Sequence, residues 1–174
     1  MRLILLASAA LLLAAALPAA AQSVVDTDSI VKGLAVTGKT RGVKHFVAPS
    51  PTEPVLADLP AVSLPVLFAS GSAELSDAGR TQLDKLGAAL KTPQLADLHF
   101  RIEGHTDTTG DDQSNQALSE RRAEAVVEYL SSRFGVERAR LVAVGMGKRG
   151  LAVATPDQTA EPRNRRVLVI NLDG

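Results

Sequence analysis

Two stretches of the chain alternate in hydrophobicity, two more are short apolar runs, and two others repeat apolar residues at helical spacing. Val62, Leu64, Val66 and Phe68 occupy every second position, as one buried strand face requires. Pro65 interrupts that run and has no N–H to donate, which suits an edge strand or a late start. Ala69 to Ser72 reads as a loop. Ser76 and Asp77 form an N-cap and an acidic first turn, and Leu83, Leu86 and Leu90 follow at intervals of three and four. Thr92-Pro93 closes this helix. Leu98, Phe100 and Ile102 then alternate with His99, Arg101 and Glu103, predicting a second strand. Gly104 and Gly110 predict that this strand breaks up into a polar loop reaching Ser114. A second helix is expected from Ser114 to Phe134, with Leu118, Val126 and Leu130 on its buried stripe and Gly135 as its stop. Arg140 to Gly145 and Arg165 to Leu172 read as third and fourth strands, separated by a loop with two glycines and two prolines.

The order is therefore β-α-β-α-β-β. Its two β-α-β stretches suit parallel neighbours joined by right-handed crossovers. One helical layer on one sheet is the expected architecture, an α+β fold. The domain is expected to start near Ala61 and to run to Gly174, enough chain for one modest core.

The residues upstream read differently. Met1-Arg2 is a basic start, Leu3 to Leu17 is apolar without a charge, and Ala19-Ala20-Ala21 is a small-residue cleavage site. The apolar run falls short of the roughly 20 residues that span a bilayer, so residues 1–21 are predicted to be a signal peptide cleaved before Gln22. Residues 22–60 read as an N-terminal segment and linker. Ser29 to Leu34 contains an amphipathic turn ended by Gly33, and Pro49, Pro51, Pro54 and Pro60 favour an extended chain. This segment is far too short for a membrane barrel, whose strands need about 9–11 residues each.

Composition narrows the function classes. The 174 residues carry 19 basic and 19 acidic side chains and 3% aromatics, and no basic cluster, which argues against a nucleic-acid binder. There is no cysteine, so there is neither a disulfide nor a lipid-modified cysteine after the signal. No Ser sits in a GxSxG elbow and no HExxH is present; no cofactor or metal is expected.

One charged residue falls where an apolar one is expected. Arg122 shares the buried stripe with Leu118 and Val126, whereas Arg121 is rotated about 100° toward solvent. A guanidinium there must meet an anion. Asp107, just past the second strand, is the candidate neighbour, at the rim where open sheets bind ligands. Two readings follow from the residues. Asp107 and Arg122 form an internal salt bridge, or they clamp the ammonium and carboxylate of an amino-acid group.

GHTDTTG (Gly104 to Gly110), Asn115, Leu118-Ser119, Arg122-Ala123 and Asn164 to Val167 resemble the OmpA-like C-terminal domain. FASGSAEL (Phe68 to Leu75) and GMGKRG (Gly145 to Gly150) extend the likeness over Ala61 to Leu172. That domain also occurs in peptidoglycan-associated lipoproteins and flagellar-motor stator proteins. The resemblance implies helices packed on a four-stranded mixed sheet, and non-covalent binding of peptidoglycan in the periplasm without enzymatic activity. It implies that Asp107 holds the ammonium, and Arg122 the carboxylate, of the diaminopimelate residue of the stem peptide. Thr109, Ser114, Asn115, Ser70, Gly71 and Arg165 map onto supporting positions. The chain departs from the family at Pro162, where a Gly is usual, and at Ala69-Ser70-Gly71, where an acidic or amide residue is common.

Two other classes stand beside this reading. Glu103, His105 and Asp107 alternate along one strand end and could serve a wall-active hydrolase, although a lone His is more often a hydrogen-bonded rim residue. An adaptor would dock an outer-membrane or other envelope protein through residues 22–60.

Overall fold

The structure is a computed structural model that describes residues 24–35, 58–65, 68–69 and 71–174. The expected signal peptide and Pro49, Pro51 and Pro54 fall outside these residues, as do Val66 and Ser70.

Local chemistry sets the helix ends. Asp26 caps α1 (Thr27–Leu34) by accepting from the Ser29 N–H. Ser76 caps α2 (Asp77–Leu90) through the Gly79 N–H. Asp111 caps α3 (Asp112–Phe134) through the Ser114 N–H, so this helix starts two residues before the expected Ser114. It ends at Gly135, as the pattern predicts. No helix among the described residues is long and apolar enough to cross a membrane.

The strands are β1 (Ala61–Leu64), β2 (Phe100–His105), β3 (Leu141–Gly147) and β4 (Val167–Asn171). They form one mixed sheet in the order β1-β4-β2-β3. β2 and β3 are parallel neighbours, and the crossover between them contains α3. β1 and β2 are not neighbours, because β4 lies between them and runs antiparallel to both. The most apolar short strand of the chain thus takes a central place, where both its edges are paired and Val167, Val169 and Ile170 are buried. β1 is an edge strand that stops before Pro65, as its missing donor demands.

The expected break at Gly104 is corrected. β2 continues to His105, and Gly104 is there because α3 lies against it: a Cβ would collide with the Ser119 carbonyl. The register then shifts between Gly104 and His105, and His105 pairs with Gly147. Such an irregularity re-aims the chain at a strand end. β4 also starts later than expected. Arg165 and Arg166 precede it, with the Arg165 N–H bonded into a turn on the Pro162 carbonyl.

Phe100, Ile102, Leu64, Val167 and Val169 pack from the sheet against Leu83, Leu86 and Leu90 of α2 and Ala123, Val126 and Leu130 of α3. Helix α1 adds Ile30 and Leu34, both fully buried, to this same core. Two buried amides hold it there. Gln82 accepts from the Val25 N–H and donates to the Val25 carbonyl, and Asn171 donates to the Leu34 carbonyl at 2.8 Å. The stretch expected to be a turn before the domain is therefore packed into the body that begins at β1, and it continues past Gly33 to Leu34.

Candidate functional site

The parallel pair β2–β3 delivers its carboxyl ends to one rim, against the first turns of α3. The Thr106 N–H bonds to the Gly147 carbonyl at 3.0 Å and continues the ladder one residue past β2. Ser119 of α3, fully buried, accepts from the Gly147 N–H at 2.8 Å and locks the helix onto β3. The loop after β2 is then tied on two sides. Asn115 Nδ2 donates to the carbonyls of Thr109 and Asp111. The Gln158 side chain exchanges two hydrogen bonds with the backbone of Gly110, each 3.0 Å. Thr108 Oγ1 reaches the Pro156 carbonyl at 2.7 Å. Residues 106–110 are thus held in place rather than left as a free loop.

Asp107 is 5% exposed. Its Oδ1 accepts from the Thr109 N–H and hydroxyl at 3.2 and 2.5 Å, and its Oδ2 accepts from Arg165 Nη1 at 2.6 Å. Burial pushes the Asp107 carboxyl up, but the bonds from Thr109 and Arg165, with the Arg165 charge, outweigh it and hold it below the ordinary 3.8.

Arg122 is also 5% exposed, while Arg121 is exposed, as helical phase requires. Its Nε donates to the Ser72 carbonyl at 2.9 Å and Nη2 approaches the Ala69 carbonyl at 3.5 Å. The guanidinium lies 5.2 Å from the centroid of the Phe68 ring, a cation–π distance. Among the described residues, no ion pair joins Arg122 to a carboxylate. Burial lowers its pKa first, the Arg165 charge lowers it further, and the Asp107 charge opposes both. A guanidinium stays protonated regardless.

A cavity of about 420 Å³ opens between these groups. Asp107, Thr109, Ser114, Asn115, Arg122, Arg165 and Gly71 all line it. Seven of the eight positions singled out in the sequence are therefore brought to one place. The eighth, Ser70, lies outside the described residues. Three of them also have tasks within the fold. Thr109 orients Asp107, Asn115 fixes the loop, and the Ser114 N–H completes the cap of α3. The internal salt bridge that the residues left open is not the one that forms: the partner of Asp107 is Arg165.

Thr106 was not singled out by the sequence, yet it lines the cavity at 3% exposure, and its hydroxyl has no hydrogen-bond partner among the described residues. Its position between His105 and Asp107 was its only signal. Glu103 and His105 do not line the cavity. They lie on the face of β2 turned away from the helices. There His105 Nε2 lies 3.3 Å from Glu103 Oε2, His105 Nδ1 lies 3.0 Å from the Arg149 carbonyl, and Arg101 Nε lies 2.7 Å from Glu103 Oε1. His105 is a buried hydrogen-bonded residue rather than one at the rim.

The chain has relatives of known identity. The OmpA family model matches residues 67–165. The chain is 37% identical over 116 residues to outer membrane porin F of Pseudomonas aeruginosa, covering 66% of this chain and 32% of the porin. It is 30% identical over 105 residues to the putative lipoprotein YfiB of Escherichia coli, covering 60% of this chain and 64% of that protein. Among solved structures, the peptidoglycan-associated lipoprotein of Burkholderia pseudomallei superposes with a TM-score of 0.52 at 32% identity. That match covers 63% of this chain and 88% of the lipoprotein. The chain spans less than two thirds of the length of either curated relative.

Proposed function

The chain belongs to the OmpA family, and we propose that it binds peptidoglycan non-covalently through the diaminopimelate zwitterion of the stem peptide. One observation carries this reading: the buried cation Arg122 and the carboxylate of Asp107 line one cavity, and Arg122 has no carboxylate partner among the described residues. Two carbonyls and a ring orient a guanidinium without neutralising it. A ligand carboxylate supplies the missing charge through short charge-assisted bonds. Asp107 offers the complementary charge for the ammonium on the same carbon. An α-amino acid end carries both groups at a fixed spacing, which a simple anion or amine does not.

The peptidoglycan-associated lipoprotein among the structural relatives supports this ligand class. The apolar start of the chain supports export, and relatives named as outer-membrane proteins support a periplasmic place at the wall or outer membrane, in service of envelope integrity. The hydrolase reading lacks support in the geometry. Glu103 and His105 lie against each other on the other face of β2 and do not line the cavity that Asp107 lines. The adaptor reading loses residues 27–34 as a docking helix, because their apolar face is buried in this chain's own core.

The test is to incubate purified sacculi with the protein, sediment them, and assay both fractions. The reading expects the protein in the pellet, its release by excess free diaminopimelate, and no muropeptides in the supernatant. Muropeptide release would favour the hydrolase.

A further inference from the structure

Asp107, the proposed seat of the ligand ammonium, is already engaged by a cation of the protein itself. Its Oδ1 takes both donors of Thr109, and its Oδ2 takes Arg165 Nη1 at 2.6 Å. A carboxylate accepts about four hydrogen bonds, so little capacity remains. An incoming ammonium would share Oδ2 with a guanidinium, placing two like charges side by side at a buried group, and each disfavours the other.

The two arginines of the cavity differ in their freedom to leave. Arg122 is buried and bonded to two backbone carbonyls. The Arg165 side chain is 33% exposed, and Asp107 is its one hydrogen-bond partner among the described residues. Arg165 can swing into water at little cost, because a partly exposed ion pair contributes only modestly.

We propose that Arg165 is an internal competitor for the ammonium subsite, holding Asp107 in the empty protein and yielding it to the ligand's ammonium. This inference rests on the zwitterion reading above and assigns Arg165 a role opposite to that of a ligand-holding residue. Binding exchanges one cation for another on Asp107, so the gain from the ammonium is offset by the ion pair that opens. An exchange of this kind also sharpens selectivity. A ligand with a carboxylate and no ammonium leaves Arg165 in place, and an amine alone gains nothing from Arg122.

The test is calorimetric titration of the wild-type protein and of Arg165→Gln with the diaminopimelate-containing stem tripeptide, N-terminally blocked, and with the same tripeptide also acetylated on the amine of its diaminopimelate side-chain end. Removing the competitor is expected to tighten binding of the free-amine tripeptide about fivefold, the equivalent of one partly exposed ion pair. The acetylated tripeptide should gain nothing. Equal or weaker binding by Arg165→Gln, with binding intact in the wild type, overturns the competitor and leaves the zwitterion reading standing. No binding by the wild type overturns both. A readout on the unmutated protein guards against a misfolded variant: the guanidinium resonances of Arg165, restrained by Asp107 when the site is empty, should show free rotation at saturation. Restrained resonances in the saturated protein contradict the proposal.

Discussion

Asp107 and Arg122 carry opposite charges into one cavity and do not bond to each other. Each is held by other groups, Asp107 by Arg165 and Thr109, and Arg122 by the carbonyls of Ser72 and Ala69. This separation sets the energetics of their variants.

A double-mutant cycle read by urea unfolding should find Asp107 and Arg122 nearly independent in the empty protein, with a coupling below about 0.5 kcal/mol. The Asp107–Arg165 cycle should give a larger coupling, up to about 1 kcal/mol for a pair with one partly exposed member. Loss of about 3–5 kcal/mol on truncating Arg122, matched by an equally large coupling to Asp107, would instead indicate a broken buried pair.

The Asp107 carboxyl is held below 3.8 in the folded protein. The unfolded chain therefore binds the proton more readily, and the stability Asp107 contributes is complete above its unfolded value. It is lost as pH falls through the lower folded value. Carboxyl NMR titration should place the midpoint of Asp107 below 3.8. Ligand binding should persist as pH falls until that midpoint is reached, and Arg165→Gln should move the midpoint upward. A midpoint at or above 3.8 in the wild type would contradict the bonding described.

Thr106 buries a hydroxyl beside the cavity that has no partner among the described residues. Thr106→Val keeps the shape and removes that group, so the empty protein should gain up to about 1 kcal/mol in urea unfolding. If the ligand satisfies the hydroxyl, the same variant binds more weakly. A gain in stability together with a loss of affinity is a pair of signs that a purely structural hydroxyl would not give.

Helix α1 makes a prediction far from the site. Ile30 and Leu34 are fully buried, and burying each such side chain contributes about 1.5–3 kcal/mol. A chain beginning at residue 61 would also leave Gln82 and Asn171 without their backbone partners Val25 and Leu34. It should unfold at a lower urea concentration by the equivalent of at least about 3 kcal/mol. Unchanged stability would mean that α1 is dispensable.

Much of this was legible in the chain, and the parts that were not share a cause. Helical phase alone separated Arg122 from Arg121, and Ser76 and Gly135 marked true helix ends. The side chains at the cavity come from short motifs, so the likeness to the OmpA family found nearly all of them. What stayed hidden depends on partners distant in sequence. Asp107 meets Arg165 across 58 positions, and Leu34 meets Asn171 across 137. Strand β4 enters between β1 and β2 from the far end of the chain, which no local periodicity encodes. Gly104 misled for the same reason. Its meaning lies in the α3 carbonyl it faces, and a glycine in a strand looks locally like a break.

The central claim is that two separately held charges form one zwitterion site. Co-sedimentation of Asp107→Ala and Arg122→Ala with purified sacculi tests it most directly, with cooperative urea unfolding of each variant as the control. The account predicts that either substitution removes the protein from the pellet while the domain still unfolds cooperatively. Wild-type sedimentation by both folded variants would contradict it.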